Sequence, residues 1–284
     1  MTYTNPDALV GTDWLAENLT SPEVRVLDGS WYLPAQKRDG KTEFAEAHIP
    51  GARHFDIDEI SDRTNDLPHM LPSAADFAAT VGAMGIGNEN HVVVYDGIGL
   101  QSAGRVWWMF RAFGHDRVSV LNGGLPKWRA EGHALTADAA GPAAATFTAE
   151  FHGDLVRGVE DMKANLGSAR EQVLDARAQG RFDASEPEPR QGLRGGHIPG
   201  SRCLPYPGLI DPETKTVRDA ASLRGAFEGA GIDLAAPIVT TCGSGVSACI
   251  LGLGLYLIGR KDVAVYDGSW SEWGSREDTP VEPE

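Results

Sequence analysis

The stretch Pro237-Ile238-Val239-Thr240-Thr241-Cys242-Gly243-Ser244-Gly245-Val246-Ser247-Ala248 decides the reading of this chain. Its β-branched opening predicts a short buried strand, and the apolar residues through Ile258 predict the helix that follows. Between them stands a cysteine with two glycines nearby. At a strand-to-helix junction several backbone N–H groups can converge on one point, backed by the positive end of the helix dipole. A thiol placed there has its thiolate favoured and becomes a better nucleophile near neutral pH. Gly243 and Gly245 suit such a loop because glycine adopts backbone angles closed to other residues. The competing reading is a small cysteine buried after a strand, without chemistry.

Working outward, the same unit occurs twice. In the first half, Val24-Arg25-Val26-Leu27-Asp28, His91 to Tyr95 and Val118 to Leu121 predict strands, and 12–19, 74–84 and 102–113 predict helices. Ser73 with Asp76 three residues on is a capping-box pattern. Val173-Leu174-Asp175 then answers Val26-Leu27-Asp28, and His197-Ile198-Pro199-Gly200 answers His48-Ile49-Pro50-Gly51. Ile238 to Thr241 answers Val92 to Tyr95, and Val265 to Trp273 answers Val120 to Trp128. Matches in the same order at nearly constant offset indicate duplication. Alternating short strands and helices predict two α/β domains, each a mainly parallel sheet flanked by helices. The expected boundaries are 1–138, a small-residue linker at 139–152, and 153–284. Each His-Ile-Pro-Gly element reads as a structural turn, because it recurs in the half that has no matching cysteine. That half carries Asp96 where the second carries Cys242, so it should cap its helix and be chemically silent.

Composition narrows the function further. With 284 residues, 42% apolar and 23% charged, the chain reads as globular, and its net charge of −15 argues against nucleic-acid or anionic-membrane partners. Three cysteines form no CxxC pair, and Cys242 and Cys249 would lie about 10 Å apart along a helix, too far for a disulfide. The eight histidines show no zinc spacing, and neither metal nor cofactor is expected. No leader or membrane span is evident, which leads to the expectation of a cytoplasmic protein. The Cys-x5-Arg loop of cysteine phosphatases is excluded, because the sixth residue after Cys242 is Ala248.

The paired His-Ile-Pro-Gly elements, the cysteine loop confined to the second half and the segment Gly180-Arg181-Phe182 to Glu186-Pro187-Glu188-Pro189-Arg190 together resemble the two-domain rhodaneses. Within that family the chain resembles the branch that uses 3-mercaptopyruvate, since Gly243 and Ser244 stand where thiosulfate-using members place basic side chains. Ser247 replaces the family's usual threonine and keeps the hydroxyl. The resemblance implies tandem rhodanese-like domains and sulfur transfer through a persulfide on Cys242. It assigns substrate binding to Arg181 and Arg190, with Gly243, Gly245, Val246 and Ser247 forming the loop. It further implies a proton relay of Ser244, His69 and Asp58, and a thiol or cyanide acceptor, with a small redox protein such as thioredoxin among the thiols. Thiosulfate as donor, or a noncatalytic persulfide carrier, are the alternatives.

Overall fold

The computed structural model describes residues 2–138 and 143–283. The first half contains strands β1 (Leu9–Val10), β2 (Val24–Asp28), β3 (Arg53–His54), β4 (His91–Tyr95) and β5 (Val118–Leu121), with helices α1 (Thr12–Asn18), α2 (Gly40–Glu46), α3 (Ala74–Ala83), α4 (Ala103–Ala112) and α5 (Gly124–Ala130). The second half repeats the set. Its strands are β6 (Val156–Arg157), β7 (Gln172–Asp175), β8 (Arg202–Cys203), β9 (Ile238–Thr241) and β10 (Ala264–Tyr266). Its helices are α6 (Val159–Ser168), α7 (Gln179–Phe182), α8 (Ala220–Gly229), α9 (Ala248–Leu257) and α10 (Ser269–Trp273). The two sheets run β1-β5-β4-β2-β3 and β6-β10-β9-β7-β8, in the same order and with parallel pairing throughout.

Buried parallel strands need apolar residues on both faces, and β4 and β9 supply them. Every residue of β9 is buried. β9 is the middle strand of its sheet. The chain visits β7 and β8 on one side before it and β10 on the other after it. Ligands of open parallel sheets gather at the carboxyl end of the strand where the winding reverses, which here is the position of Cys242.

The two halves share one core. All ten residues of α4 are buried, as are nine of the ten in α9, and a helix buried on all sides is one packed on all sides. α4 and α9 face each other across the domain junction, where Gly104 lets the helices approach: a Cβ there would lie 3.2 Å from Ile250 Cγ1. The cysteine loop is therefore built on a helix that the other half of the molecule covers.

Two sequence expectations need adjustment. Residues 139–142 of the expected linker lie outside the described residues, but its later part is bound to the first domain rather than free. Ala145 N–H donates to Gly82 O, Glu150 N–H to Phe113 O, and Phe147 is buried in the core. The Ser73 cap is half a capping box: its Oγ accepts from Asp76 N–H, and the Asp76 carboxylate takes the serine hydroxyl instead of the backbone N–H of Ser73. The His-Ile-Pro-Gly histidines are structural. His48 and His197 stack on Phe44 and Phe182 at 4.0 and 3.8 Å, and each contacts that phenylalanine's carbonyl through Nδ1.

Candidate active site

Cys242 follows β9 directly and is 2% exposed, at a cavity of about 280 Å³ at the domain junction. Gly243, Ser244, Val246 and Ser247 line the same cavity, as do Arg181 and Arg190. Gly245 lies behind the loop. Its φ of +73° and the 2.7 Å between a built Cβ and Asp267 O leave room only for glycine. Gly243 is a correction: it does not adopt a positive φ, and what a side chain there would meet is the end of an arginine. A Cβ there would stand 2.9 Å from Arg181 Nη2.

The duplication shows what the loop is built to hold. In the first half, Asp96 folds its carboxylate back over its own loop and accepts from the N–H groups of Ile98, Gly99, Gln101, Ser102 and Ala103 at 2.7–3.0 Å. That loop is an anion cradle filled by its own side chain. In the second half, whose loop is one residue shorter, the counterparts of Ile98, Gln101, Ser102 and Ala103 are Ser244, Val246, Ser247 and Ala248. Their N–H groups have no protein acceptor among the described residues. The cradle is thus open where Cys242 replaces Asp96, and an anionic sulfur is the chemistry it suits. The other two thiols are unsuited, since burial pushes Cys203 up to about 12 and raises Cys249 further.

Ser269 holds the loop in shape, and the sequence reading missed it. Its Oγ accepts from the N–H groups of Cys242 and Gly245, at 3.2 and 3.1 Å, and donates to Tyr266 O. It adopts φ +48°, an uncommon conformation for a residue with a side chain. The repeat contains the clue: Ser269 corresponds to Gly124, so only the half with the cysteine carries a hydroxyl there. Arg105 was missed too. It is fully buried, reaches from α4 into the second half, and pairs with Asp267 at 2.7 Å while donating to the carbonyls of Gly245 and His69.

The two arginines differ in their freedom. Arg181 Nη2 pairs with Glu188 at 2.6 Å, and its Nε leans on the same carboxylate. Glu188 is itself held by Arg177 at 2.7 Å, and Arg177 pairs with Asp175 and lies over the Trp270 ring. One edge of the Arg181 fork is therefore occupied, and the other edge remains for a ligand. Arg190 has no carboxylate within ion-pair distance among the described residues. It reaches only Ser271 Oγ and His69 Nε2, each at 3.5 Å. Burial lowers its pKa, opposed by the charge of Cys242 when ionised. A partly buried guanidinium without a counter-ion is a prepared anion site.

Asp58 and His69 come together as expected: Nδ1 of His69 lies 3.0 Å from Asp58 Oδ1, off the line of its N–H. Trp31 Nε1 donates to the other Asp58 oxygen at 2.9 Å. The contact with His69 holds Asp58 below the usual carboxylate range, and burial lowers His69 despite that carboxylate. Ser244 faces the cavity with Cys242, but among the described residues no hydrogen bond joins it to His69. The first half also supplies Trp31, Leu33 and Gln101 to the cavity wall, with Gln101 Nε2 donating to Trp31 O at 3.1 Å, and Tyr206 lines the far side. No sequence pattern marks these four residues. Among the described residues, no group of three or more His, Cys, Asp or Glu side chains could hold a metal ion, and no helix is long and apolar enough to cross a membrane.

Two matching parallel α/β domains, with one loop cysteine at their junction, define a tandem-domain protein with a single thiol centre. Residues 11–131 and 158–276 each match the rhodanese-like domain, and the chain belongs to the rhodanese family. It is 48% identical to human 3-mercaptopyruvate sulfurtransferase over 95% of this chain and 92% of that one. It is 49% identical to thiosulfate sulfurtransferase of Cricetulus griseus, over 94% and 91%. Among solved structures, SseA from Escherichia coli, described as a 3-mercaptopyruvate sulfotransferase, superposes with a TM-score of 0.85 at 38% identity, covering 93% of this chain and 98% of that one.

Proposed function

We propose that this chain is a 3-mercaptopyruvate sulfurtransferase. The observation that carries the reading is the meeting of Cys242 with two guanidinium groups in one cavity of about 280 Å³, a size suited to a small keto acid. In the reaction, the Cys242 thiolate attacks the sulfur of mercaptopyruvate. The new S–S bond forms as the C–S bond breaks, and the electron pair passes to the carbon to give the enolate of pyruvate. The proton given up by the Cys242 thiol is balanced by the one the enolate takes up. Ser244, beside the sulfur, is suited to assist that transfer; the relay proposed for the family runs on to His69 and Asp58, which here stand together without a hydrogen bond to Ser244 among the described residues. Arg190 and the free edge of Arg181 bind the carboxylate and ketone.

A thiol then removes the outer sulfur as a persulfide, leaving Cys242 reduced; thioredoxin is a candidate thiol acceptor, and cyanide would take the sulfur as thiocyanate. The first domain (1–138) carries no sulfur of its own, because Asp96 fills the cradle where the second domain has Cys242. Residues 139–152 join it to the catalytic domain (153–284). Free thiols suit a reducing compartment, and we place the protein in the cytoplasm. Thiosulfate is the rival donor. It is a dianion, and the loop positions after Cys242 hold Gly243 and Ser244 instead of cations.

The test compares kcat/KM for the two donors with one acceptor, in the parent and in Arg181→Ala and Arg190→Ala. A hydrogen bond to a charged group contributes about 1.5–3 kcal/mol, so each variant should lose about tenfold to a few hundredfold with mercaptopyruvate. The larger loss is expected for Arg190→Ala, whose guanidinium makes no ion pair with a carboxylate among the described residues. A parent that prefers thiosulfate, or arginine variants with normal mercaptopyruvate kinetics, would overturn the assignment.

A further inference from the structure

We infer that the Asp58–His69 pair acts on Arg190 rather than on Ser244: it positions the substrate-binding guanidinium across the domain junction. The inference rests on the reading of Arg190 as a carboxylate site. His69 Nε2 lies 3.5 Å from Arg190 Nη2, and no hydrogen bond connects the imidazole with the Ser244 hydroxyl among the described residues. A guanidinium carries only donors, so the ring nitrogen facing it must be the acceptor. That places the proton on Nδ1, which stands 3.0 Å from Asp58 Oδ1 with its N–H off the line between them, so the contact there is one of charge and not a formed hydrogen bond. With its lone pair turned to Arg190, Nε2 is not free to take a proton from a serine.

The surroundings hold the ring in this role. His69 is 4% exposed, with φ +63°, and Trp31 meets its face edge-on at 4.9 Å. The backbone carbonyl of His69 accepts from buried Arg105, which also holds the carbonyl of Gly245 in the cysteine loop. One arginine thus ties the backbone of His69 to the loop of Cys242. The charged groups around the imidazole are Asp58 on one side and Arg190 and Arg105 on the other, with Asp267 behind Arg105. Burial, aided by the two cations and opposed by Asp58, lowers the pKa of the ring and so favours its neutral form, which is the form that can accept from Arg190. Asp58 and His69 belong to the first domain and Arg190 to the second, so the pair also makes substrate affinity depend on how the domains meet.

The experiment separates positioning from proton relay. His69→Ala should weaken pyruvate binding, measured by calorimetry on the full chain, by about tenfold. It should raise KM for mercaptopyruvate similarly while kcat stays within about twofold. His69→Gln, whose side-chain oxygen reaches toward the place of Nε2 but cannot shuttle a proton, should restore both to within about threefold. In an Arg190→Ala background, His69→Ala should add less than twofold, because residues acting through one another are not additive. The inference is overturned if both His69 variants lose kcat a hundredfold with KM unchanged, or if pyruvate affinity is the same in His69→Ala as in the parent. Asp58→Asn, at a half-exposed site, provides a second variant with the same expected direction if His69→Ala does not fold. The pyruvate titration is independent of sulfur transfer. A parent that binds pyruvate but forms no persulfide therefore refutes the proposed reaction and leaves the positioning result to stand on its own.

Discussion

Arg105→Leu is the perturbation from which the structure predicts most. The Arg105 guanidinium is fully buried, pairs with Asp267 at 2.7 Å, and lies 4.6 Å from the Trp108 ring centre. Leucine fills part of the space but leaves Asp267 buried without a counter-charge among the described residues, its Oδ2 accepting from Leu71 N–H. Breaking a buried pair from one side costs about 3–5 kcal/mol. The carbonyls of His69 and Gly245 each lose a donor as well, adding about 1 kcal/mol apiece if nothing replaces it. These terms share one site and do not add, so a loss of about 4 kcal/mol is the working figure. For a chain of this size that corresponds to roughly 8–16 °C in Tm. Differential scanning calorimetry at pH 7 reads it. The control is Arg105→Leu/Asp267→Asn, which removes the stranded charge but keeps an acceptor for Leu71, and should recover about half the loss. An Arg105→Leu protein within 2 °C of the parent, or a double variant no better than the single, would refute the reasoning.

Other outcomes follow from the same geometry. Ser244→Ala should lower kcat and kcat/KM together, about tenfold to a thousandfold, if the hydroxyl assists the transition state; a raised KM with normal kcat in steady-state kinetics would make it a binding residue instead. Glu188→Gln removes the anion shared by Arg177 and Arg181, so kcat/KM for mercaptopyruvate should fall by about tenfold through KM; an unchanged KM would show that Arg181 needs no such support.

The legible parts of the chain were those with local pattern. β4 and β9 announce themselves as β-branched runs, α4 and α9 as long apolar segments, and the duplication as ordered matches. The two-residue edge strands β1, β3, β6 and β8 escaped notice, because two residues carry no periodicity. The cysteine loop and the Arg181–Arg190 segment were found, and both line one cavity. What could not be seen is what holds them. Arg105 and Asp267 are far apart in sequence, as are Cys242 and Ser269, and nothing local in either member predicts the other. The small residues near 145–150 read as a spacer because their composition is that of one, although backbone bonds to Gly82 and Phe113 tie them to the first domain. Gly243 was recognised, but not for its place in the fold: it has no positive φ, and a side chain there would press on the end of Arg181, which only the folded chain reveals.

The central claim is that Cys242 carries the transferred sulfur. Its most direct test is the intact mass of the protein after incubation with 3-mercaptopyruvate and removal of small molecules, followed by peptide mapping. The structure predicts one added sulfur atom, located on Cys242, and none in Cys242→Ser. Sulfur mapped to Cys203 or Cys249, or a Cys242→Ser protein that still gains it, would contradict the account.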